Sequence, residues 1–501
     1  MSPPKPPKPF PLPDPTRRRL LRAGAGALAL PLLNACDGSS ATPDTGTPPG
    51  PDTPDCVVPT QTGTRLPRGL HVSWTDDPAT TRTLTWFTDG PDDPGTLVQY
   101  GPVEDGMSDC EIQAAAFPYG VAGATKATYG VDALTHSATL TALPADRPIR
   151  YRVGSETGGW SPTRVLRPAP QDRFSFIHFG DHAQHDASRA VTAATRARDP
   201  DFVWIAGDLS YANGDQPLWD SYFDMLEPLA AEIPVMTCPG NHENKDGGGA
   251  GYASRVTLPG NGLYYGFDYG NVHFCVSTGG SLLSDVSDTG ELLTEIAELE
   301  QDLADAARRR ANGEIDFIVF VQHYTIWTSC EGRDPFNFSL VLLEENILLR
   351  HGVDLLLVGH DHIYERSKPM GAGLPLDIGY VQITQGGGGQ SLYELVDYDM
   401  AWSAFRTLRH GFTEYVVDGK TIRGTTYSVE NEALELLPGG GVEIIDSFEI
   451  QARNGTAKAM PLKPARTLEE LGREFDLQAV AEHTVRRNRL HDLFEDRTPN
   501  Y

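Results

Sequence analysis

Between Phe174 and Val358, six short runs (FSFIHF, DFVWIA, PVMTC, VHFCVS, DFIVFVQ and VDLLLV) are almost unbroken in apolar residues. Runs of this kind are strands covered on both faces, and they predict a mainly parallel sheet sheathed by helices. Between the fourth and fifth lies SDTGELLTEIAELEQDLADAARRRANG, where Leu292, Ile296, Leu299 and Leu303 recur at i, i+4, i+7 and i+11. That spacing predicts an amphipathic helix, with Arg308 to Arg310 placed favourably near its carboxyl end. After Met370 the β-like text returns (YVQITQGGGG, FTEYVV, TIRGTTYS, IDSFEI), which predicts a second sheet packed on the first.

Most of these buried runs end in a small polar cluster. FSFIHF ends in Gly180-Asp181, and DFVWIA in Gly207-Asp208 with Tyr211 three residues on. PVMTC is followed by Gly240-Asn241-His242-Glu243, DFIVFVQ by His323, and VDLLLV by Gly359-His360-Asp361-His362. Each fragment alone is weak, because a lone Gly-Asp is usually a turn and a lone histidine usually a satisfied polar residue. Five clusters after five strands carry more weight, since ligands gather beyond the carboxyl ends of parallel strands. Carboxylate, phenol, amide oxygen and imidazole together suit hard to borderline metal ions.

The rest of the 501-residue chain reads as a second domain and tails. Residues 65–168 carry short alternating runs (LHVSW, TLTWF, LVQYG, HSATLTAL, IRYRVGS) broken by DG, PG and GG, which predicts an all-β sandwich of immunoglobulin or fibronectin type. It holds no catalytic cluster, so its expected role is support or contact. Residues 1–35 read as an export address. TRRRLLR is a twin-arginine pattern, and the apolar run Ala23 to Leu33 that follows is too short to span a bilayer. LNAC resembles a lipoprotein cleavage box, which would place a lipid on Cys36; an ordinary cleaved signal is the other reading. Residues 36–64, rich in Pro, Thr, Asp and Gly, read as a flexible stalk. Residues 453–501 read as a peripheral charged tail whose helix opens at the capping box Thr467-x-x-Glu470.

The formal charge of −27 argues against a nucleic-acid partner, while leaving room for a small phosphorylated substrate at a locally positive site. Loss of residues 1–35 removes six basic residues and one acid, taking the charge to −32. Of six cysteines, Cys56 and Cys110 are placed to bridge in an oxidising compartment, and Cys238 and Cys275 lie in apolar runs as buried thiols.

The order of the polar motifs resembles the calcineurin-like metallophosphoesterases. The tyrosine, the stretch GHDHIYER and the preceding β-sandwich narrow the resemblance to the purple acid phosphatases, over about residues 65–452 and including LYYGFDYGNVHF. That family's pattern is GDxG, GDxxY, GNH followed by Asp or Glu, VxxH and GHxH; this chain has GDHA, GDLSY, GNHE, FVQH and GHDH. The resemblance implies two mixed sheets packed as a β-sandwich flanked by helices over residues 169–452. It also implies a dinuclear centre, with Asp181, Tyr211 and His362 on the first metal, Asn241, His323 and His360 on the second, and Asp208 bridging. The implied cofactors are Fe(III) and a divalent ion (Fe, Zn or Mn). A mixed-valence pair leaves net positive charge to welcome phosphate, and a Tyr211–Fe(III) bond would colour the protein violet. The implied reaction is attack of a metal-bound hydroxide on phosphorus, with His242 stabilising phosphoryl oxygens or protonating the leaving group and Glu243 orienting His242.

The chain also departs from the pattern. Ala183 stands where the family has glycine, and His182 is an added imidazole that either faces solvent or touches metal or substrate. After His323 the text is YTIWTSCEGRDP, in which Trp327 and Arg333 are either pocket residues, Arg333 as a phosphate clamp, or a loop aromatic and a surface charge. Gly386 to Gly389 lack a following Lys-Ser/Thr and read as a turn at a strand end. The leading expectation is an exported bacterial phosphomonoesterase, touching a membrane only through a lipid anchor. The alternatives are a phosphodiesterase acting on nucleotides or phospholipid head groups, a non-catalytic surface binding module, and a zinc-only hydrolase in which Tyr211 is structural. The oligomeric state is not legible.

Overall fold

The computed structural model describes residues 63–170, 173–283, 289–453 and 467–495. The expected export signal, Cys36, Cys56 and nearly all of the expected stalk lie outside the described residues. Cys110 is disulfide-bonded, while Cys238, Cys275 and Cys330 are buried free thiols.

The first domain contains β1 (Arg68–Ser73), β2 (Arg82–Asp89), β3 (Leu97–Pro102), β4 (Tyr119–Ala122), β5 (Ala124–Ala127), β6 (Ala133–Leu140), β7 (Ile149–Ser155), β8 (Gly159–Trp160) and β9 (Arg164–Leu166). They form two antiparallel sheets, ordered β1-β2-β6-β5 and β4-β3-β7-β8 with β9 on β7. The two sheets share one core, in which Val72, Trp86 and Leu140 of one meet Val98, Tyr151 and Val153 of the other.

The second domain contains β10 (Arg173–Phe179), β11 (Phe202–Ala206), β12 (Val235–Cys238), β13 (Tyr265–Tyr269), β14 (Val272–Val276), β15 (Phe317–Val321), β16 (Leu355–Val358), β17 (Tyr364–Ser367), a small hairpin of β18 (Met370–Gly371) and β19 (Leu374–Pro375), β20 (Val381–Gln385), β21 (Ser403–Thr407), β22 (Gly411–Asp418), β23 (Thr421–Ser428) and β24 (Glu443–Gln451). The six apolar runs divide between two mixed sheets, as the family resemblance implies, and not into the single mainly parallel sheet that the runs alone suggest. β12-β11-β10 run parallel and are continued antiparallel by β22-β23-β24, while β14-β15-β16-β20 run parallel between antiparallel β13 and β17-β21. Both sheets are mixed, and each is completed by strands from the later β-like text.

The apolar runs are continuous because both of their faces are buried. On β15, Phe317, Val319 and Val321 point between the sheets, whereas Ile318 and Phe320 point to the layer of the helix Thr289–Ala311. Phe274 of the second sheet meets Phe176 and Phe202 of the first edge-on, at ring separations of 5.3 and 5.5 Å. Leu292, Ile296, Leu299 and Leu303 form the buried stripe of that helix, as their spacing predicts.

The carboxyl-terminal segment is not peripheral. The capping box at Thr467 is present, and the following helix, Leu477–Glu495, buries Val480, Ala481 and Val485 in the second core beside Tyr324 and Trp327. Among the described residues its apolar face is short, with Leu477 beside those three, and its exposed face is mostly polar, which hides it from a periodicity reading.

Candidate metal centre

The polar tips extend the sheets rather than dangling from them. Past the ends of β10 and β11 the two Gly-Asp loops stay paired, with the amides of Asp181, His182 and Ala183 donating to the carbonyls of Gly207, Asp208 and Leu209 at 3.1, 3.0 and 2.9 Å. Asp181, Ala183, Asp208, Tyr211, Asn213 and His360 all hold φ between +49° and +68°. This left-handed backbone is costly for side-chain-bearing residues and gathers where a site over-determines it. Two motif glycines are required by space. A Cβ on Gly207, itself at φ +80°, would lie 2.5 Å from His323 Nδ1, and one on Gly240 would lie 2.1 Å from Asp208 Oδ1. The tetraglycine after β20 is a strand-end turn, as expected, and Gly388 N donates to Gly180 O at 3.0 Å beneath the Asp181 loop.

The tips of both sheets meet in two triangles of ligand atoms. In the first, Tyr211 Oη lies 3.1 Å from Asp181 Oδ1 and 2.9 Å from His362 Nε2, and the last two atoms are 3.3 Å apart. In the second, Asn241 Oδ1 lies 3.1 Å from both His323 Nε2 and His360 Nδ1. Asp208 Oδ2 stands 3.2 Å from His323 Nε2, and Asp208, His323 and His360 can offer ligand atoms all within 4.8 Å of one another. The structure thus brings together all seven residues that the sequence singled out as ligands. Tautomers are set from outside, with His323 Nδ1 at 2.8 Å from Ala206 O and His362 Nδ1 at 2.6 Å from Ser391 O. A ring N–H donated to each carbonyl aims both Nε2 atoms at the centre, where each would offer a lone pair to a metal ion once deprotonated.

The pocket's charge asks for a cation. Burial raises the Asp181 carboxyl. Burial alone would lower His323, yet the Asp208 and Asp181 carboxylates push it up to about 10. A buried imidazole held that strongly in the positive form marks a place where a metal ion would satisfy both carboxylates. The donor set is oxygen and imidazole without thiolate, so the residues present fit hard to borderline ions.

His242 sits at the rim. Its Nδ1 is 2.6 Å from Asn213 Oδ1, its amide donates to Asp208 Oδ1 at 2.9 Å, and its ring lies 4.1 Å from that of Tyr211. Glu243 was expected to orient His242, but Asn213 is the residue on that imidazole. The Glu243 carboxylate instead accepts the amides of Asp208, Leu209 and Gly240 at 2.9, 2.9 and 2.6 Å. Burial and the neighbouring Asp208 push Glu243 up to about 7. Arg333 belongs to the site, with Nε 2.7 Å from Asp361 Oδ1, Nη1 2.9 Å from His360 Nε2, and the guanidinium over the Tyr393 ring at 5.2 Å.

Two expectations are corrected. His182 neither faces solvent nor joins the ligand cluster. It is fully buried, with its nitrogens 3.2 Å from Tyr222 Oη and 3.0 Å from Thr192 Oγ1, because the left-handed turn at Asp181 swings the next side chain to the opposite side of the loop. Burial lowers its pKa to about 4, so it is a neutral core histidine. Trp327 is a core residue, with its indole donating to Tyr380 Oη at 3.0 Å and packing on Trp402. Sequence reasoning missed Asn213 and Tyr393. The Asn-Gly pair two residues past Tyr211 was a readable turn signal for the first. Nothing local announces Tyr393, which stacks on His362 at 4.0 Å.

Comparison with known proteins agrees with this geometry. Residues 174–364 match the calcineurin-like phosphoesterase family, and residues 67–167 match the purple acid phosphatase N-terminal domain. Purple acid phosphatase 18 of Arabidopsis thaliana is 25% identical over 71% of this chain and 79% of its own length. Acid phosphatase type 7 of Homo sapiens is 28% identical over 71% of this chain and 86% of its own. In fold, a purple acid phosphatase from yellow lupin (Lupinus luteus) seeds superposes with a TM-score of 0.61 at 21% identity, covering 78% of this chain and 75% of that one. Two matched domains in the right order, relatives of that name and the convergent tips lead to one conclusion: the chain belongs to the purple acid phosphatase family and is a calcineurin-like metallophosphoesterase, an acid phosphatase-like hydrolase.

Proposed function

We propose that this protein is an exported phosphatase that hydrolyses phosphate monoesters at a dinuclear centre. The supporting observation is the pair of ligand triangles, Asp181–Tyr211–His362 and Asn241–His323–His360, with Asp208 beside both sets. In this reading each triangle holds one ion, Asp208 is shared, and the pair is Fe(III) with Fe, Zn or Mn. Two bound ions supply Lewis acidity toward phosphoryl oxygens and toward water. The chain's own residues do the rest. Arg333 adds fixed positive charge beside His360 for a phosphate oxygen, and Glu243 holds the Asp208 loop rigid. His242 presents Nε2, its other nitrogen being fixed on Asn213, to protonate the leaving alkoxide.

The first domain is proposed as a fibronectin-like support. Residues 1–35 direct export, and Cys36 carries the lipid that tethers the stalk. Substituting Cys36→Ser should move the protein from the membrane fraction to the soluble one; retention there would remove the lipid from the proposal.

The deciding measurement is the ratio of kcat/KM for an aryl phosphate monoester to that for its diester, with Asp208→Asn as control. A ratio well above one, abolished in the control, supports the monoesterase. A ratio below one makes the enzyme a phosphodiesterase on the same centre. No turnover of either by metal-loaded protein would leave the binding-module reading.

A further inference from the structure

The loop that follows His242 and Glu243 has little of its own to hold it. It runs through Gly247, Gly248 and Gly249, and three glycines in succession offer no side chain to anchor and the widest choice of backbone conformation. Gly248 N donates to Asn244 O at 2.9 Å and Gly249 N to Glu243 O at 3.1 Å, which turns the loop back on the same short helix. Asp246 ties it to the loop that carries Asn213, the residue on the His242 imidazole. One Asp246 carboxylate oxygen accepts the amide of Gly214, directly after Asn213, and the other accepts the Trp219 indole N–H at 2.8 Å. His242, Asn213, Gly214 and Asp246 thus close a ring of contacts at the rim of the centre.

That ring is braced by the first domain. The turn between β5 and β6, residues 128–132, lies on it. The Tyr129 ring rests against Gly247, where a Cβ would collide with its Oη, and a Cβ on Gly130 would lie 2.5 Å from Gln216 Cγ. Three hydrogen bonds seat this hairpin: Lys126 Nζ to Ala253 O at 2.8 Å, Tyr129 N to Ser254 Oγ at 3.2 Å, and Arg255 Nη2 to Tyr129 O at 3.3 Å. Arg255 is buried, and its Nη1 donates to Gln216 Oε1 at 2.9 Å and Gly251 O at 3.0 Å, so one guanidinium joins the first domain to both loops. Gly251 in turn donates its amide to Asp246 O at 3.0 Å.

We propose that the first domain is a working part of the catalytic site: its β5–β6 turn, through Tyr129 and Arg255, positions Asn213 and so aims the His242 imidazole at the leaving group. Tyr129 and Arg255 are positioning residues, and neither touches the reacting atoms. The inference rests on the acid role proposed for His242. When the bond from phosphorus to an alkoxide breaks, its electron pair stays on the leaving oxygen, which needs the His242 proton. A 4-nitrophenolate leaves without one. A loosely held His242 therefore slows the first kind of ester and spares the second.

The test uses full-length, metal-loaded protein with butyl phosphate and 4-nitrophenyl phosphate. Tyr129 is 43% exposed, so Tyr129→Ala leaves the core intact. Arg255→Lys keeps the charge but cannot serve Gln216 and Tyr129 together. Val98→Ala, in the core of the first domain, is the control that loosens this domain without altering the turn. In Tyr129→Ala and Arg255→Lys, kcat for butyl phosphate should fall about tenfold while its KM and both constants for 4-nitrophenyl phosphate stay within about twofold. Added to His242→Ala, Tyr129→Ala should cost nothing further. Val98→Ala should not change the ratio of the two esters. Unchanged kinetics in Tyr129→Ala, equal losses on both esters, or a further loss in the double variant would overturn the proposal. Amide hydrogen exchange gives a readout without turnover: Gly214, Gly248 and Gly249 should exchange about tenfold faster in Tyr129→Ala and at the wild-type rate in Val98→Ala. If His242→Ala slows both esters alike, or wild type turns over neither, the acid role fails by itself, and the exchange rates decide whether the turn holds the rim.

Discussion

The Glu243 carboxylate holds the amide of Asp208 at 2.9 Å, from a position 35 residues along the chain. With Leu209 and Gly240 it gathers three backbone donors, joining the tips of β11 and β12 under the candidate metal centre. Glu243→Gln turns an NH₂ group toward donors that need an acceptor. The expected outcome is a 10–100-fold weaker hold on the metals, on the order seen for residues that orient ligands. The circular dichroism spectrum should not change. A chelator titration of metal content checks this, and unchanged affinity would show that the loop holds itself.

The proposed ligands come from both sheets: Asp181, Asp208, Tyr211 and Asn241 follow strands of the first, and His323, His360 and His362 follow strands of the second. Metal removal should therefore loosen the whole domain. At metal concentrations about 1,000 times the Kd, the loss on chelation is about 4 kcal/mol, read as a lower Tm. Asp208→Asn should show a much smaller chelator effect. If wild type and variant melt alike with and without chelator, the two triangles are not bridged by metal.

Ala183 stands at φ +55° and is 3% exposed. A Cβ in left-handed backbone costs roughly 1–2 kcal/mol, and glycine's extra freedom in the unfolded chain gives back part of that. Ala183→Gly should raise stability by about 0.5–1 kcal/mol, or about 2 °C in Tm for a domain of this size. A fall in Tm would mean that the buried methyl contributes more by packing than it costs in strain.

His273, near the start of β14, lies between Asp268 Oδ1 and Asp302 Oδ2, each at 2.8 Å from a ring nitrogen. Burial alone would lower its pKa, but the two carboxylates outweigh burial and push it up to about 9. The folded value is above the unfolded one, so this contribution is fully present below about pH 6.5 and is lost as pH rises through 9. Denaturant midpoints measured from pH 6 to 10 should fall over that window in wild type, and His273→Gln should flatten the fall.

Much of this was legible because a buried strand leaves a strong mark when it ends in polar residues. All seven proposed ligands lie within five residues of such ends. What remained hidden depends on geometry that one strand does not encode. β10 takes β22 as its antiparallel neighbour, which no local pattern announces, so the apolar runs alone suggest one sheet where the resemblance to a known family implies two. His182 follows a left-handed residue, and its side chain turns inward although its neighbours in sequence suggest the site. Trp327 sits four residues past His323 and goes to the core instead, because Tyr380 and Trp402 offer its indole a hydrogen bond and a packing surface. The carboxyl-terminal helix looked polar because, among the described residues, its apolar anchors are few: Val480, Ala481 and Val485, with Leu477 packed beside them.

The pairing of β10 with β22 also sets when the protein can finish folding. Phe176 lies opposite Tyr415, 239 positions later. At a synthesis rate of about 5–20 residues per second, β10 waits roughly 10–50 s for its neighbour. During that time its apolar edge is a surface to which another nascent chain could add. The domain therefore cannot be built up from its amino terminus as it leaves the ribosome. It closes late and as a whole, and its yield in a cell should depend on chaperones that shield the waiting strand.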